Sequence, residues 1–127
     1  VASGLFGVGV DAIEVSRVRR LLDRLPAAEE RLFTLQEREY CRRYADPVPR
    51  LAARFASKEA IAKALGTGVI DWQEIEVVGG GRPAVRLHGA TAMAAGHLGI
   101  TRIELSLTHT AGQAIAVAAA LKEDQHG

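Results

Sequence analysis

Glu59 and Lys63 stand four residues apart in the run Arg54-Phe-Ala-Ser-Lys-Glu-Ala-Ile-Ala-Lys-Ala-Leu-Gly-Thr-Gly68, one turn of a helix that ends in a glycine-broken loop. An acid and a base so placed can hold a metal ion and a phosphate. Far earlier, Gly7-Val-Gly-Val-Asp11 ends an apolar, strand-like run on a carboxylate, and Arg17 follows six residues later. A carboxylate at the end of a glycine-faced strand suits a hard cation such as Mg²⁺, which takes one or two carboxylates, waters and phosphate oxygens. The two segments together supply the charges that phosphoryl chemistry requires.

Each of these residues also has a plain structural reading. Asp11-Ala-Ile-Glu14 has the spacing of a helix cap followed by a glutamate, so Asp11 can serve as a cap. Glu59 and Lys63 can be a surface helix pair worth about 0.3–0.5 kcal/mol. Their flanks, Ala56, Ala60, Ile61, Ala62, Ala64 and Leu65, leave little of the helix polar and place the pair close to buried surface. Arg54 and Lys58 share a neighbouring face, open to further phosphates or to solvent. His109 lies on the strand face of Leu107, Leu105 and Ile103, with Ser106 pointing the other way, which argues against a serine–histidine nucleophilic pair. A structural histidine and a hydrogen bond to a phosphate or ribose are both open for it. His88, His97 and His126 lack metal-ligand spacing, and the glycines at 66, 68 and 79–81 form no P-loop.

The elements that must position these groups can be read from periodicity. Phe6, Val8 and Val10 fall on one face of a strand and Gly7 and Gly9 on the other, so something packs closely against the glycines. A first helix is predicted from Ile13 to about Leu25, with Arg17, Arg20 and Arg24 sharing one of its faces. Thr34 and Glu37 form a capping box that opens a second helix through Tyr44, which Asp46-Pro-Val-Pro49 breaks. A third helix spans about Leu51 to Leu65, stopped by Gly66 and Gly68. A strand from Glu74 to Val78 and Pro83 to His88 form a hairpin, Gly89 to Leu98 a short helix, and two more strands run near Arg102 to His109 and Gln113 to Leu121. This order indicates an α+β fold, a mainly antiparallel sheet packed with helices.

With 127 residues, 48% of them hydrophobic and 24% charged, the chain is expected to form a single domain over 1–127, with a frayed tail from Glu123 to Gly127. No apolar run approaches the roughly 20 residues that cross a bilayer, and the N-terminus lacks the layout of a secretory signal, so a cytoplasmic, membrane-independent protein is expected. The single cysteine, Cys41, reads as a half-buried small apolar residue. Sixteen basic residues against fifteen acidic ones argue against nucleic-acid binding driven by bulk charge. Aromatics do not interleave with the arginines along the sequence as stacking platforms would. The arginines concentrate between Arg17 and Arg54, where an acidic partner could dock.

Taken in order, Gly9-Val-Asp11 with Arg17, Phe33-Thr-Leu-Gln-Glu37, the Arg54 to Gly68 run, Trp72 leading into Glu74-Ile-Glu76-Val, Gly81-Arg-Pro83 and Ser106-Leu-Thr-His109 resemble holo-[acyl-carrier-protein] synthase over roughly residues 4 to 121. The resemblance implies the 4'-phosphopantetheinyl transferase fold. It also implies transfer of 4'-phosphopantetheine from coenzyme A to a serine of apo acyl carrier protein, with adenosine 3',5'-bisphosphate released, in support of fatty acid or polyketide biosynthesis. By the same resemblance Asp11 and Glu59 are Mg²⁺ ligands, and Asp11, Glu59 and Lys63 carry catalysis. Arg54, Lys63, Gly66, Pro83 and His109 surround the cofactor, and Arg17, Arg20 and Arg24 dock the carrier. Family members form homotrimers with sites at the subunit interfaces.

Overall fold

In the computed structural model, which describes residues 3–123, the elements run β1 (Ser3–Glu14), α1 (Val15–Arg24), α2 (Ala28–Leu32), α3 (Leu35–Cys41), α4 (Val48–Leu65), β2 (Ile75–Val78), β3 (Ala84–Leu87), α5 (Gly89–His97), β4 (Ile100–His109) and β5 (Gln113–Glu123). One sheet has the order β1-β5-β4 and the other pairs β2 with β3, every pairing antiparallel. The α+β class read from the sequence is therefore observed. Of the tail expected to fray, Glu123 instead pairs with Ser3, and Asp124 to Gly127 lie outside the described residues.

Helix α4 lies across the three-stranded sheet, and small side chains make the approach close. Ala52, Ala56, Ala60, Ile61, Ala64 and Leu65 on the helix, with Ala114, Ala116, Ala118 and Ala120 on β5, are all buried in one core. The bare face of β1 is what the helix packs on. A Cβ added at Gly9 would overlap the carbonyl oxygen of Ala60, and one added at Gly7 that of Ala64. The opposite face of the same sheet carries Val8, Val10, Ile115 and Val117, all exposed.

Several boundaries differ from the sequence reading for identifiable reasons. Strand β1 continues to Glu14 because its ladder with β5 runs on to Glu14 opposite Gln113, so α1 starts at Val15 rather than Ile13. The Thr34–Glu37 capping box is present, with both reciprocal bonds, but α3 ends at Cys41 instead of Tyr44. Prolines 47 and 49 do not merely break the chain. They open α4 at Val48, where a first-turn residue needs no amide donor, and Asp46 accepts the Val48 amide at 3.1 Å. The short α2 was not read from the sequence, and Trp72–Glu74 is a 3₁₀ turn leading into β2. A second, smaller core joins Leu32, Phe33, Cys41 and Leu51, so Cys41 is fully rather than half buried.

Candidate active site

Asp11 sits in β1, where that strand crosses α4, and not at a helix end. The N-cap of α1 is Glu14, without a side-chain cap bond, so the capping reading of Asp11 fails. Its carboxylate is free for other work. Lys63, on the last turn of α4, reaches across to the strand, its Nζ 3.0 Å from the Val10 carbonyl oxygen and 3.5 Å from Asp11 Oδ1. Among the described residues no ion pair joins Lys63 to Glu59, so the surface helix-pair reading fails as well.

Glu59, half-buried on the preceding turn, completes the cluster. Burial, and then the nearby Asp11 charge, push its carboxyl above the usual range, with Lys63 pulling the other way. Two carboxylates that repel each other beside an open surface fit a hard divalent cation, which relieves the repulsion and leaves coordination positions for water and phosphate oxygens. Gly66 ends α4 in the left-handed conformation, φ 78°, and so turns the chain immediately after this cluster.

Arg54, Pro83 and His109 converge elsewhere, on a pocket of about 200 Å³. Lys63 and Gly66 do not line it. Arg54 is only 2% exposed; its Nη2 donates to Gly79 O at 2.7 Å, its guanidinium lies 4.4 Å from the Tyr40 ring centroid, and its Nε has no partner. Arg50 stacks 3.3 Å from the centroid of Tyr44, and the two tyrosine hydroxyls are 3.4 Å apart. Tyr40, Tyr44 and Arg50 were not singled out from the sequence. The available signal was the pair of four-residue spacings, Tyr40 with Tyr44 and Arg50 with Arg54. Tyr40, Tyr44, Arg50 and Arg54 come together here, giving cationic and planar surfaces suited to an anionic, ring-bearing ligand.

A third feature is the groove of about 380 Å³ lined by Ile13, Arg17, Val18, Arg20, Leu21, Arg24 and Phe55. All three arginines are exposed, and among the described residues none is held in an ion pair, whereas Arg19 between them is taken by Asp46 at 2.7 Å. An acidic surface is the natural complement of that groove. Lys58 departs most from expectation. It is fully buried, and its ammonium pairs with Glu37 at 2.7 Å instead of facing phosphate or solvent. Burial pushes Lys58 down from its ordinary value while Glu37 pulls it back.

The segment holding these groups matches a known family. Residues 7–118 fit the profile of the 4'-phosphopantetheinyl transferase superfamily. The chain is 42% identical to the holo-[acyl-carrier-protein] synthase of Caldanaerobacter subterraneus, over 90% of this chain and 93% of that one. The chain belongs to the holo-[acyl-carrier-protein] synthase family. Its fold agrees with the holo-[acyl-carrier-protein] synthase of Neisseria meningitidis at a TM-score of 0.84 and 30% identity, covering 92% of this chain and 98% of that one. It also agrees with the Bacillus anthracis synthase solved in complex with CoA (3',5'-ADP), at a TM-score of 0.77 and 28% identity, covering 96% and 100%.

Helix geometry bears on how a synthase of this size arranges its parts. At about 100° per residue, Arg54 and Lys63 point to opposite sides of α4, and Arg54 and Glu59 diverge by about 140°. The arginine pocket and the carboxylate pair of one chain therefore open in different directions.

Proposed function

We propose that this chain transfers the 4'-phosphopantetheine arm of coenzyme A to a serine hydroxyl of an apo acyl carrier protein and releases adenosine 3',5'-bisphosphate. The observation that carries this reading is the meeting of Asp11, Glu59 and Lys63 at one end of α4, in a chain of this family. Asp11 and Glu59 hold Mg²⁺. Bound there, the ion supplies Lewis-acid charge to the diphosphate oxygens of coenzyme A. Lys63 adds a second positive charge against the same diphosphate, where negative charge grows in the transition state. The serine oxygen attacks the β-phosphorus, the phosphoanhydride bond breaks, and adenosine 3',5'-bisphosphate leaves. The serine proton passes to Glu59 or to a water molecule at the open side of the site.

Arg54, Arg50 and His109 hold the phosphates of the nucleotide, with Tyr40, Tyr44 and Pro83 bounding its ring system. Gly66 gives the diphosphate backbone room at the end of α4. Arg17, Arg20 and Arg24 dock the acidic surface of the carrier. Residues 1–127 act as one transferase domain, in the cytoplasm, in fatty acid biosynthesis. Among the described residues no helix is long and apolar enough to cross a membrane.

The working unit is a homotrimer, with the arginine pocket of one subunit facing the carboxylate pair of the next. Two facts support this. The divergent directions of Arg54 and Glu59 keep one chain from surrounding a long cofactor by itself. On the outer sheet face, Val10 lies opposite Val117 and Ala12 opposite Ile115, an apolar surface that a neighbouring sheet would cover. Incubation with coenzyme A, Mg²⁺ and an apo carrier, read by mass spectrometry, tests the proposal. The carrier gains one phosphopantetheine arm, and no gain with several carriers rejects the activity.

A further inference from the structure

One pair of charges has no part in the chemistry described above. Lys58, next to Glu59 on α4, and Glu37, in the first turn of α3, are both fully buried and joined at 2.7 Å. Their remaining bonds reach other elements. Lys58 Nζ also donates to Trp72 O at 2.7 Å, just ahead of β2. Glu37 Oε1 accepts the Thr34 amide at 2.8 Å, and Oε2 accepts the Val77 amide of β2 at 2.9 Å. Thr34 in turn donates its hydroxyl to Glu76 Oε2 at 2.7 Å, and the other oxygen of Glu76 lies 3.1 Å from His88 Nε2. One turn of α4 is thus tied by directional bonds to α3, to the Trp72 turn and, through Glu37, to β2.

A buried ion pair is a weak device for stability alone, since apolar side chains of similar volume hold a core as well. What it adds is direction. On the other side of the same turn, the Ala60 carbonyl rests against Gly9 of β1, leaving no space for a Cβ. Successive helical residues step by about 100°, so residues 58 and 60 pin the helix from nearly opposite sides and Glu59 projects between them. A helix held at both points cannot roll about its axis.

We propose that the Glu37–Lys58 pair is the positioning device for Glu59, fixing the rotation of α4 so that the Glu59 carboxylate meets a divalent cation opposite Asp11. The inference rests on the transferase reading of that site. Neither Glu37 nor Lys58 touches substrate or metal; they act through Glu59, and small misplacements of a reacting group are costly in rate.

The test uses the full chain and two readouts, Mn²⁺ affinity of the free protein by electron paramagnetic resonance and steady-state transfer kinetics. Lys58→Met alone leaves the buried Glu37 without its counter-charge and is expected to unfold the chain, so the informative variant is Glu37→Gln with Lys58→Met, in which both charges are removed. Expected is a folded protein whose Mn²⁺ dissociation constant rises at least tenfold and whose kcat falls at least tenfold, while KM for the carrier is unchanged. A folded double variant with wild-type Mn²⁺ affinity and kcat overturns the positioning role.

If the double variant does not fold, Glu37→Asp decides, because it keeps the charge and shortens the arm by one methylene. A weaker Mn²⁺ affinity with lowered kcat supports the role, and wild-type values of both overturn it. Wild-type protein that neither binds Mn²⁺ nor transfers phosphopantetheine rejects the transferase reading, and this inference falls with it. Active wild type with an equally active variant rejects the pair's role alone.

Discussion

Glu59 shows how a functional group is held against the interest of the fold. Burial and Asp11 raise its carboxyl above the ordinary value of 4.5, so between that value and its raised native one the folded chain binds more protons than the unfolded chain. Stability attributable to this group therefore falls as pH rises through that window and stays lower at neutral pH. Glu59→Gln is accordingly expected to melt a few degrees above wild type at pH 7 without added metal, the difference closing below pH 4.5; thermal melts followed by circular dichroism across pH check this. Added Mg²⁺ should raise the melting temperature of wild type and leave Glu59→Gln unmoved. Asp11→Ala should reduce kcat by roughly a hundredfold or more with carrier binding retained, measured by transfer kinetics beside a carrier-binding titration. Burial acts on Cys41 in the same direction: it pushes the thiol up to about 11, and a thiol reagent should label it only after unfolding.

Elements carry the next set of constraints. The contact between β1 and α4 exists because Gly7 and Gly9 have no side chains, and Gly9→Ala would press a methyl into the Ala60 carbonyl. Overpacking of a tight contact costs about 1–3 kcal/mol, and at a rigid backbone more, so denaturant midpoints should drop sharply for Gly9→Ala and little for Gly4→Ala, whose added Cβ would meet only Lys122 O at 3.8 Å. On α1, Arg17→Glu should raise KM for the carrier roughly tenfold and flatten its salt dependence, with kcat nearly unchanged.

This scale also separates what was legible in the sequence from what was not. The glycine-faced strand and the Thr34–Glu37 box were readable because their signals are local and periodic. The burial of Lys58 was not, because its partner lies on another helix 21 residues away and nothing within α4 marks the lysine as internal. Residues 47–49 spelled a break, yet the same prolines are suited to a helix start, and the sequence alone does not say which side of them the helix begins. Tyr40 and Arg54 meet only once α3 and α4 are packed, so the four-residue spacings within each helix did not show that the two would stack.

For the whole molecule, the question is how a short chain builds a site for a long, charged cofactor. The two halves of the proposed site leave α4 in different directions, and the outer sheet face exposes Val8 at 57%, Val10 at 55% and Val117 at 44%. The proposed trimer would answer both facts. Sedimentation equilibrium should give three chains per particle for wild type and smaller species for Val10→Lys with Val117→Lys, and the dissociated protein should lose transfer activity although Asp11, Glu59 and Lys63 are intact. A fully active monomer would refute the shared site while leaving the carboxylate pair in place.

In the proposed site Asp11 and Glu59 hold one divalent ion against the diphosphate of coenzyme A. Calorimetric titration of coenzyme A into the protein, with and without Mg²⁺, tests it most directly. Mg²⁺ should tighten binding at least tenfold in wild type and have no such effect in the Asp11→Ala, Glu59→Ala double variant. An equal Mg²⁺ effect in both proteins would contradict it.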